Sequence, residues 1–358
     1  LWLVPPLMIA GTLRELGMAT LAGLNRYGHR TVGIIAAAAA QVVLVFVFVW
    51  VLRWGVAALA LAMAAAYALG AAWCYLALSQ GRRPRLDWRA YRRAIGFSWP
   101  LYLNQLLTFF YQRFDTVLVS TLLGMTNAAL YEMAKRLPTL LSRVLVALLV
   151  PFLPNLAGLI AEGDRDGAAR LLNRTVTFVA FLGYTAALGA IVVQERLLVL
   201  LFNRDYLAAV PALGLLLTAA CLMVQAGIMG QALIALGRPG VVTVVNIGLA
   251  AISVAANLVL LPRYGLVGGG VAAVLAILFS NVLQAGAVRW CGLGVDLRGY
   301  FKPQLYMLGA GVVIIWGGGV GWRLLALALF VTLCLLTAVV TPRQLRTMAQ
   351  ALLPGRTE

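Results

Sequence analysis

Residues 206–288 read YLAAVPALGLLLTAACLMVQAGIMGQALIALGRPGVVTVVNIGLAAISVAANLVLLPRYGLVGGGVAAVLAILFSNVLQAGAV, and the only charged side chains in that stretch are Arg238 and Arg263. Each arginine sits in a short turn, GRPG (237–240) or PRYG (262–265). Between the turns lie three apolar runs of about twenty residues or more, each long enough to cross a hydrocarbon layer as a helix. A chain in lipid must satisfy its backbone polar groups internally, and helices in series do that. The expectation is a polytopic, all-α integral membrane protein.

The rest of the chain agrees with that reading. Hydrophobic residues make up 63% of 358 positions and charged residues 11%, and the mean hydropathy is +0.95. A water-soluble exterior could not be built from so few polar side chains. About eleven apolar runs are expected as spans: 3–24, 31–52, 55–79, 95–123, 129–160, 172–194, 206–236, 240–261, 265–288, 303–322 and 324–341. The N-terminus opens inside an apolar run, without Met, a basic leader or a signal-cleavage pattern.

Net charge is +17. The basic residues occupy the gaps between apolar runs, which is the signature of membrane topology rather than of nucleic-acid binding. Alternate gaps collect Arg26, Arg30, Arg82, Arg83, Arg85, Arg89, Arg92, Arg93, Arg165, Arg170, Arg174, Arg238, Arg289, Arg298, Lys302, Arg343, Arg346 and Arg356. The opposite gaps hold only Arg53, Arg196, Arg204, Arg263 and Arg323. The first set and the C-terminus are therefore expected in the cytoplasm. Segment 81–94, with RRPRLDWRAYRR at its centre, is expected to be a basic interfacial linker on the inner leaflet, between two helical lobes.

An internal repeat is visible. LNRYG (24–28) resembles LGRPG (236–240), and RWGV (53–56) resembles RYGL (263–266), in the same order and at nearly the same spacing. The first three spans thus match spans seven to nine as a parallel repeat. Residues 1–80 are expected to be the second half of an N-terminal lobe, whose opening three helices, about 80–110 residues, lie upstream in a longer protein. Residues 95–290 form a complete six-helix lobe, 291–342 an additional pair of spans and 343–358 a cytoplasmic tail.

Four scattered cysteines and one histidine, His29, offer no metal spacing and no Ser-His-Asp arrangement, so no metal and no cofactor are expected. Ionisable groups inside spans are the candidate functional groups. In the fourth span Asn104, Thr108, Tyr111 and Asp115 recur on one helix face, with Gln105 and Gln112 beside them and Arg113 turned away. The fifth span carries Glu132, Lys135, Arg136 and Arg143, with Glu132 and Arg136 spaced to pair at i, i+4. Pro138, Pro151 and Pro154 should kink that span. Two readings stay open. In one, Asp115 and Glu132 neutralise some of Lys135, Arg136 and Arg143 in a structural network. In the other, Arg113, Lys135, Arg136 and Arg143 line a cationic cavity for an anionic, phosphate-bearing substrate, with Asn104, Thr108, Gln112, Asp115 and Glu132 as its polar face. Arg14, beside Glu15 in the first span, is either a second cavity element or a snorkelling side chain. Gln225, Gln231, Asn246, Ser253, Asn257, Asn281 and Gln284 read as interhelical hydrogen-bonding groups.

The run from the fourth to the ninth span resembles the polysaccharide flippases of the MOP superfamily, the O-antigen and exopolysaccharide translocators related to the lipid II flippase and MATE exporters. The resemblance rests on FSWPLYLNQLLTFFYQRFDTVLVSTLLG (97–124), NAALYEMAKRLPTLL (127–141), Pro151 and Pro154, AEGDRDGAARLLNR (161–174), ALGRPG (235–240) and NLVLLPRYGLVGGGVAA (257–273). It implies two six-helix lobes around a central cavity with two further C-terminal helices. It also implies alternating-access translocation of a lipid-linked oligosaccharide, on undecaprenyl diphosphate, across the bacterial inner membrane. Proton or sodium coupling is left open, and membrane lipids are expected neighbours. The cationic candidates would meet the diphosphate, with Arg14 as the first lobe's contribution. A MATE-type cation exporter would want a net acidic cavity, where this chain offers a basic one. A glycan polymerase or ligase would want a large outer loop or a His/Asp cluster, but the longest outer loop is about 195–208. The basic 81–94 segment is the only feature suggesting an ABC-type permease.

Overall fold

The computed structural model describes residues 4–24, 26–51, 53, 57–79 and 88–337, and among these every regular element is helical. The chain divides into two compact units, Leu1–Arg92 and Arg93–Glu358.

In the first unit α1 (Val4–Gly23), α2 (Tyr27–Val45) and α3 (Ala57–Ser79) form a three-helix group in which α3 packs on both others. In α3 apolar residues occupy every face, as a helix needs when its surroundings are lipid and protein rather than water. Small residues set the spacing. A Cβ added to Gly17 would lie 2.4 Å from that of Cys74, and one on Gly70 would meet the stem of Arg14 at 3.0 Å. Arg26 donates to the Ala77 carbonyl (3.0 Å) and Trp73 to that of His29 (3.0 Å), closing one end of the group. Past Val45 the α2 ladder widens to a π-helix, Phe46–Val51, with Phe46 and Trp50 stacked at 6.2 Å.

All of α4 (Trp88–Leu123) beyond Arg92 belongs to the second unit, and the helix is about 54 Å long. That exceeds the roughly 30 Å of hydrocarbon in a bilayer. Residues 80–87, which take in the start of the expected basic linker, lie outside the described residues. Residues 88–94 do not form a separate interfacial helix, because they run without a break into the fourth expected span. Trp88 and Tyr91 stack on this projecting turn at 5.2 Å.

The fifth expected span is broken into three: α5 (Met125–Ala134), α6 (Arg136–Ala147) and α7 (Phe152–Ala161). The prolines account for both breaks. Pro138 has no N–H to offer the Ala134 carbonyl, and Pro151 has none for that of Ala147. Across the second break the axis bends by 41°.

α8 (Arg165–Val192) starts on a cap in which the Asp164 side chain accepts from the Gly167 N–H at 2.8 Å. After the short α9 (Gln194–Leu201) and a 3-10 turn (Arg204–Ala209), α10 (Val210–Ala235) returns through the middle of the unit. Leu213, Leu217, Ile228, Met229 and Leu233 of α10 are all sealed in the core. Spans eight and nine emerge as one helical element, α11 (Pro239–Trp290), interrupted at Gly265. There φ is 57° and ψ −139°, just after Pro262. The two arms fold back on each other, since a Cβ on Gly268 would lie 2.2 Å from the Leu260 carbonyl oxygen. No straight helix brings residues eight apart that close.

α12 (Leu297–Gly317) and α13 (Val320–Leu336) are the expected C-terminal pair. They pack on α8, where Phe330 stacks on Phe181 and meets Tyr184 edge-on. Three polar ties run along this contact. At one end the Asn173 side chain donates to the Gly294 carbonyl and accepts from the Asp296 N–H. In the middle, buried Gln225 accepts from Tyr184 (2.6 Å) and Gln304 (3.3 Å), and Tyr300 donates to Asn281. At the other end Arg323 reaches Glu195 at 2.9 Å. Gln225 and Asn281 are thus hydrogen-bonding groups between helices, and their partners Tyr184, Gln304 and Tyr300 come from neighbouring elements.

By length and hydropathy, five described helices can cross a membrane outright, or six if the bent α5–α7 series is taken as one span. Residues 338–358, with the expected tail, lie outside the described residues. We expect Gly268→Ala to lower stability by about 1–3 kcal/mol, because the blocking atom is backbone and cannot rotate away. Gly286→Ala, where nothing lies within 4 Å, serves as the neutral comparison in thermal denaturation in detergent.

Candidate functional site

The charged residues of spans four and five meet within the second unit. α4 presents Arg113 and Asp115, and the α5–α6 break presents Glu132, Lys135 and Arg136. Lys135 stands at the break itself, where Pro138 has removed the helical bond. Its ammonium group contacts both Asp115 carboxylate oxygens, at 2.9 and 3.1 Å, and the Thr116 hydroxyl oxygen at 3.3 Å. Asp115 also accepts from the Thr116 backbone N–H (2.7 Å) and the Tyr131 hydroxyl (3.3 Å). Both members of the ion pair are largely covered, with side chains 22% and 15% exposed. A carboxylate so held is a spent charge.

Glu132 accepts from the Thr116 hydroxyl at 3.0 Å and stands 3.8 Å from the Arg113 guanidinium. The expected Glu132–Arg136 pair is therefore not the one formed. The break at Lys135 interrupts the i, i+4 register between them, and Arg113 bends round from α4 to take the acid instead. Both members of this second pair are substantially exposed, so it binds weakly.

That leaves Arg136 and Arg143. Among the described residues, neither has an ion-pair or hydrogen-bond partner for its guanidinium. α6 is the most one-sided of the described helices, and Arg136, Thr139 and Arg143 recur along one of its faces at i, i+3 and i+7. That face lines a cavity of about 770 Å³, together with Arg113, Glu132, Lys135, Ser142 and the α10 residues Met223, Gly227 and Gln231. The cavity is bounded by broken helix on one side and by a helix carrying Gly227 on the other. Four basic side chains and one acid look into it, so an anion is the ligand class its field favours. Guanidinium groups suit phosphate oxygens, to which they donate two parallel hydrogen bonds.

Of the other expected site residues, Arg14 lies in the first unit. It is packed over the Tyr67 ring at 4.9 Å, with Glu15 at 3.7 Å, and its Nε is buried without a partner among the described residues. The side chains of Asn104, Thr108 and Gln112 lie outside those described. Gln231, expected among the interhelical hydrogen-bonding groups, lines the cavity. Its Oε1 is buried and lacks a partner among the described residues. A lone Gln in an apolar run was its only signal. Thr139, Ser142, Met223 and Gly227 gave none, because their role depends on how α6 faces α10.

Helices of this length and hydropathy, with charges paired inside the bundle, define a multi-pass membrane protein. The chain belongs to the family described as polysaccharide biosynthesis protein, whose model matches residues 23–211. Among curated proteins it is similar to the probable low-salt glycan biosynthesis flippase Agl15 of Haloferax volcanii, at 22% identity over 177 residues. That match takes in 49% of this chain and spans about 38% of the relative's length. Among solved structures it superposes on the lipid II flippase MurJ in an inward closed conformation with a TM-score of 0.68. The superposition covers 96% of this chain and 74% of that one, at 12% identity, a likeness of fold. Both relatives are named as flippases.

The two classes of cation in the site should separate in stability measurements. Asp115→Asn should cost about 2–4 kcal/mol by removing the negative charge against the largely covered Lys135 ammonium group, and Lys135→Met in the same chain should recover much of the loss. Arg136→Gln and Arg143→Gln should change stability by less than about 0.5 kcal/mol. Denaturation midpoints of the purified variants in one detergent decide it.

Proposed function

We propose that this protein flips a lipid-linked oligosaccharide, carried on undecaprenyl diphosphate, across the bacterial inner membrane for polysaccharide biosynthesis. Alternating access moves the substrate, and the C-terminus lies in the cytoplasm. The observation carrying this reading is the pair of arginines, Arg136 and Arg143, held without counter-charge on one wall of a cavity among apolar helices. A charge inside a membrane protein is costly, and structural charges are paired, as Asp115 and Lys135 are. Two cations left open to a cavity are suited to a guest that brings the negative charge with it. A diphosphate does so, and its glycan would occupy the polar side near Gln231 and Thr139.

The roles divide accordingly. Arg136 and Arg143 take the diphosphate. Arg113, in its loose pair with Glu132, can be drawn off to join them. Lys135 is held by Asp115 and shapes the wall, and Arg14 is the first unit's own candidate cation. The breaks on either side of α6 allow that twelve-residue segment to reorient without unwinding a whole span. Proton or sodium coupling would supply direction. A cation exporter fits poorly, because the described lining of the cavity is net basic. The names of the similar proteins, a glycan-biosynthesis flippase and a lipid II flippase, support the same substrate class.

The test is translocation of a lipid-linked oligosaccharide by the full-length gene product in vesicles, comparing wild type with Arg136→Ala, Arg143→Ala and the double variant. Each single change should reduce the rate about tenfold or more, the loss expected for one charge-assisted contact to phosphate. Wild-type rates in the double variant would overturn the assignment.

A further inference from the structure

A second cavity, of about 930 Å³, lies at α9 and the turn into α10, away from the charged cluster of α4 to α6. Its walls carry two exposed arginines, Arg196 and Arg204, beside Val199, Leu200 and Leu207. Leu200 is 81% exposed, the most open leucine among the described residues. Among the described residues neither arginine has a partner for its guanidinium. The acids nearby are otherwise engaged: Glu195, which also lines the cavity, is held by Arg323, and Asp205 accepts from the Asn203 side chain at 3.1 Å.

Two observations support a headgroup depth for this cavity. α8 is about 42 Å long and has Arg165, Arg170 and Arg174 near its other end, so α9 begins where the apolar span has finished. The Arg323–Glu195 bond brings the α12–α13 turn to the same level. Beside it the end of α12 and the start of α13 display Trp316 and Trp322, 90% and 49% exposed, and tryptophans collect where hydrocarbon meets headgroups. The cavity thus has guanidinium groups at headgroup depth and an open aliphatic wall, the two surfaces an amphiphile needs.

We propose that Arg196 and Arg204 form a binding site for an anionic glycerophospholipid of the leaflet at this end. The phosphodiester receives hydrogen bonds from the two guanidinium groups and an acyl chain lies along Val199, Leu200 and Leu207. Charge selects the headgroup class. With Glu195 held by Arg323, the two guanidinium groups are left without counter-charge, and a single phosphodiester can accept hydrogen bonds from both. The site is independent of the flipping activity and of Arg136 and Arg143. A lipid held here would brace α9 against the start of α10, joining the two spans on either side.

The experiment is native mass spectrometry of the full-length protein in detergent, titrated with phosphatidylglycerol or phosphatidylcholine. Phosphatidylglycerol should bind preferentially. Arg196→Gln and Arg204→Gln should each weaken it about fivefold and the pair about twentyfold, while the Arg136→Gln/Arg143→Gln variant binds as wild type. Both arginines are exposed, so the variants keep the wild-type melting temperature in phosphatidylcholine alone. Equal binding of the two lipids, unchanged phosphatidylglycerol affinity in the double variant, full competition by soluble glycerol phosphate, or tighter binding of a short isoprenoid diphosphate would each overturn the proposal.

Discussion

Everything in this protein depends on one constraint: a polar group buried among apolar helices in lipid has no water to turn to. Most of the described polar groups meet that demand inside the bundle. Gln225 and Asn281 bond to tyrosines of neighbouring helices, and Asp115 accepts from Thr116, Tyr131 and Lys135. Capping aspartates close the starts of α8 and α12. Several buried amides, among them Gln194, Gln284 and Gln304, keep one atom without a partner among the described residues, so the departures that carry meaning are the charged ones. Arg136 and Arg143 stand open on the wall of a cavity that Gln231 also lines.

The broken fifth span links that chemistry to the backbone. Three prolines in one span would be a defect in a helix that only had to cross. Here they place Lys135 at a discontinuity and set α6 apart as a short amphipathic piece between two breaks. The ion pair with Asp115 then does a structural job, tying the break to α4 from the side. The arginines beyond it are held by helix geometry alone. The same division, with one cation anchored and the next ones free, could not be made on an unbroken helix whose charges all paired at i, i+4.

How much of this is legible in the sequence varies with the length scale of the interaction. Span positions are readable because they depend on runs of about twenty residues and on nothing distant. The proline breaks are readable because a missing N–H is a local fact. The cluster of Asp115, Lys135, Arg136 and Arg143 is readable as a neighbourhood, since only a short turn separates the two spans. Its internal pairing is not. The choice of Arg113 by Glu132 depends on a break angle and a side-chain bend that no spacing rule contains. Tyr184, Tyr300 and Gln304 are invisible as partners for the same reason, being far apart in sequence from the amides they serve. The hairpin at Gly265 reads as a loop, but the turn is tighter than a loop, and Gly268 is what lets the arms touch while Gly270 makes room for Leu215 of α10.

The attachment of α12 and α13 has a mechanical consequence. The pair is fastened to α8 and its neighbours near both membrane faces and at mid-depth, by Asn173, by the Gln225–Gln304 and Asn281–Tyr300 contacts, and by Arg323. A plate riveted at three heights cannot swing like a shutter. The C-terminal helices must therefore travel as ballast with the body that carries them, adding stiffness to it. Any rocking of that body has to find its joint elsewhere in the chain.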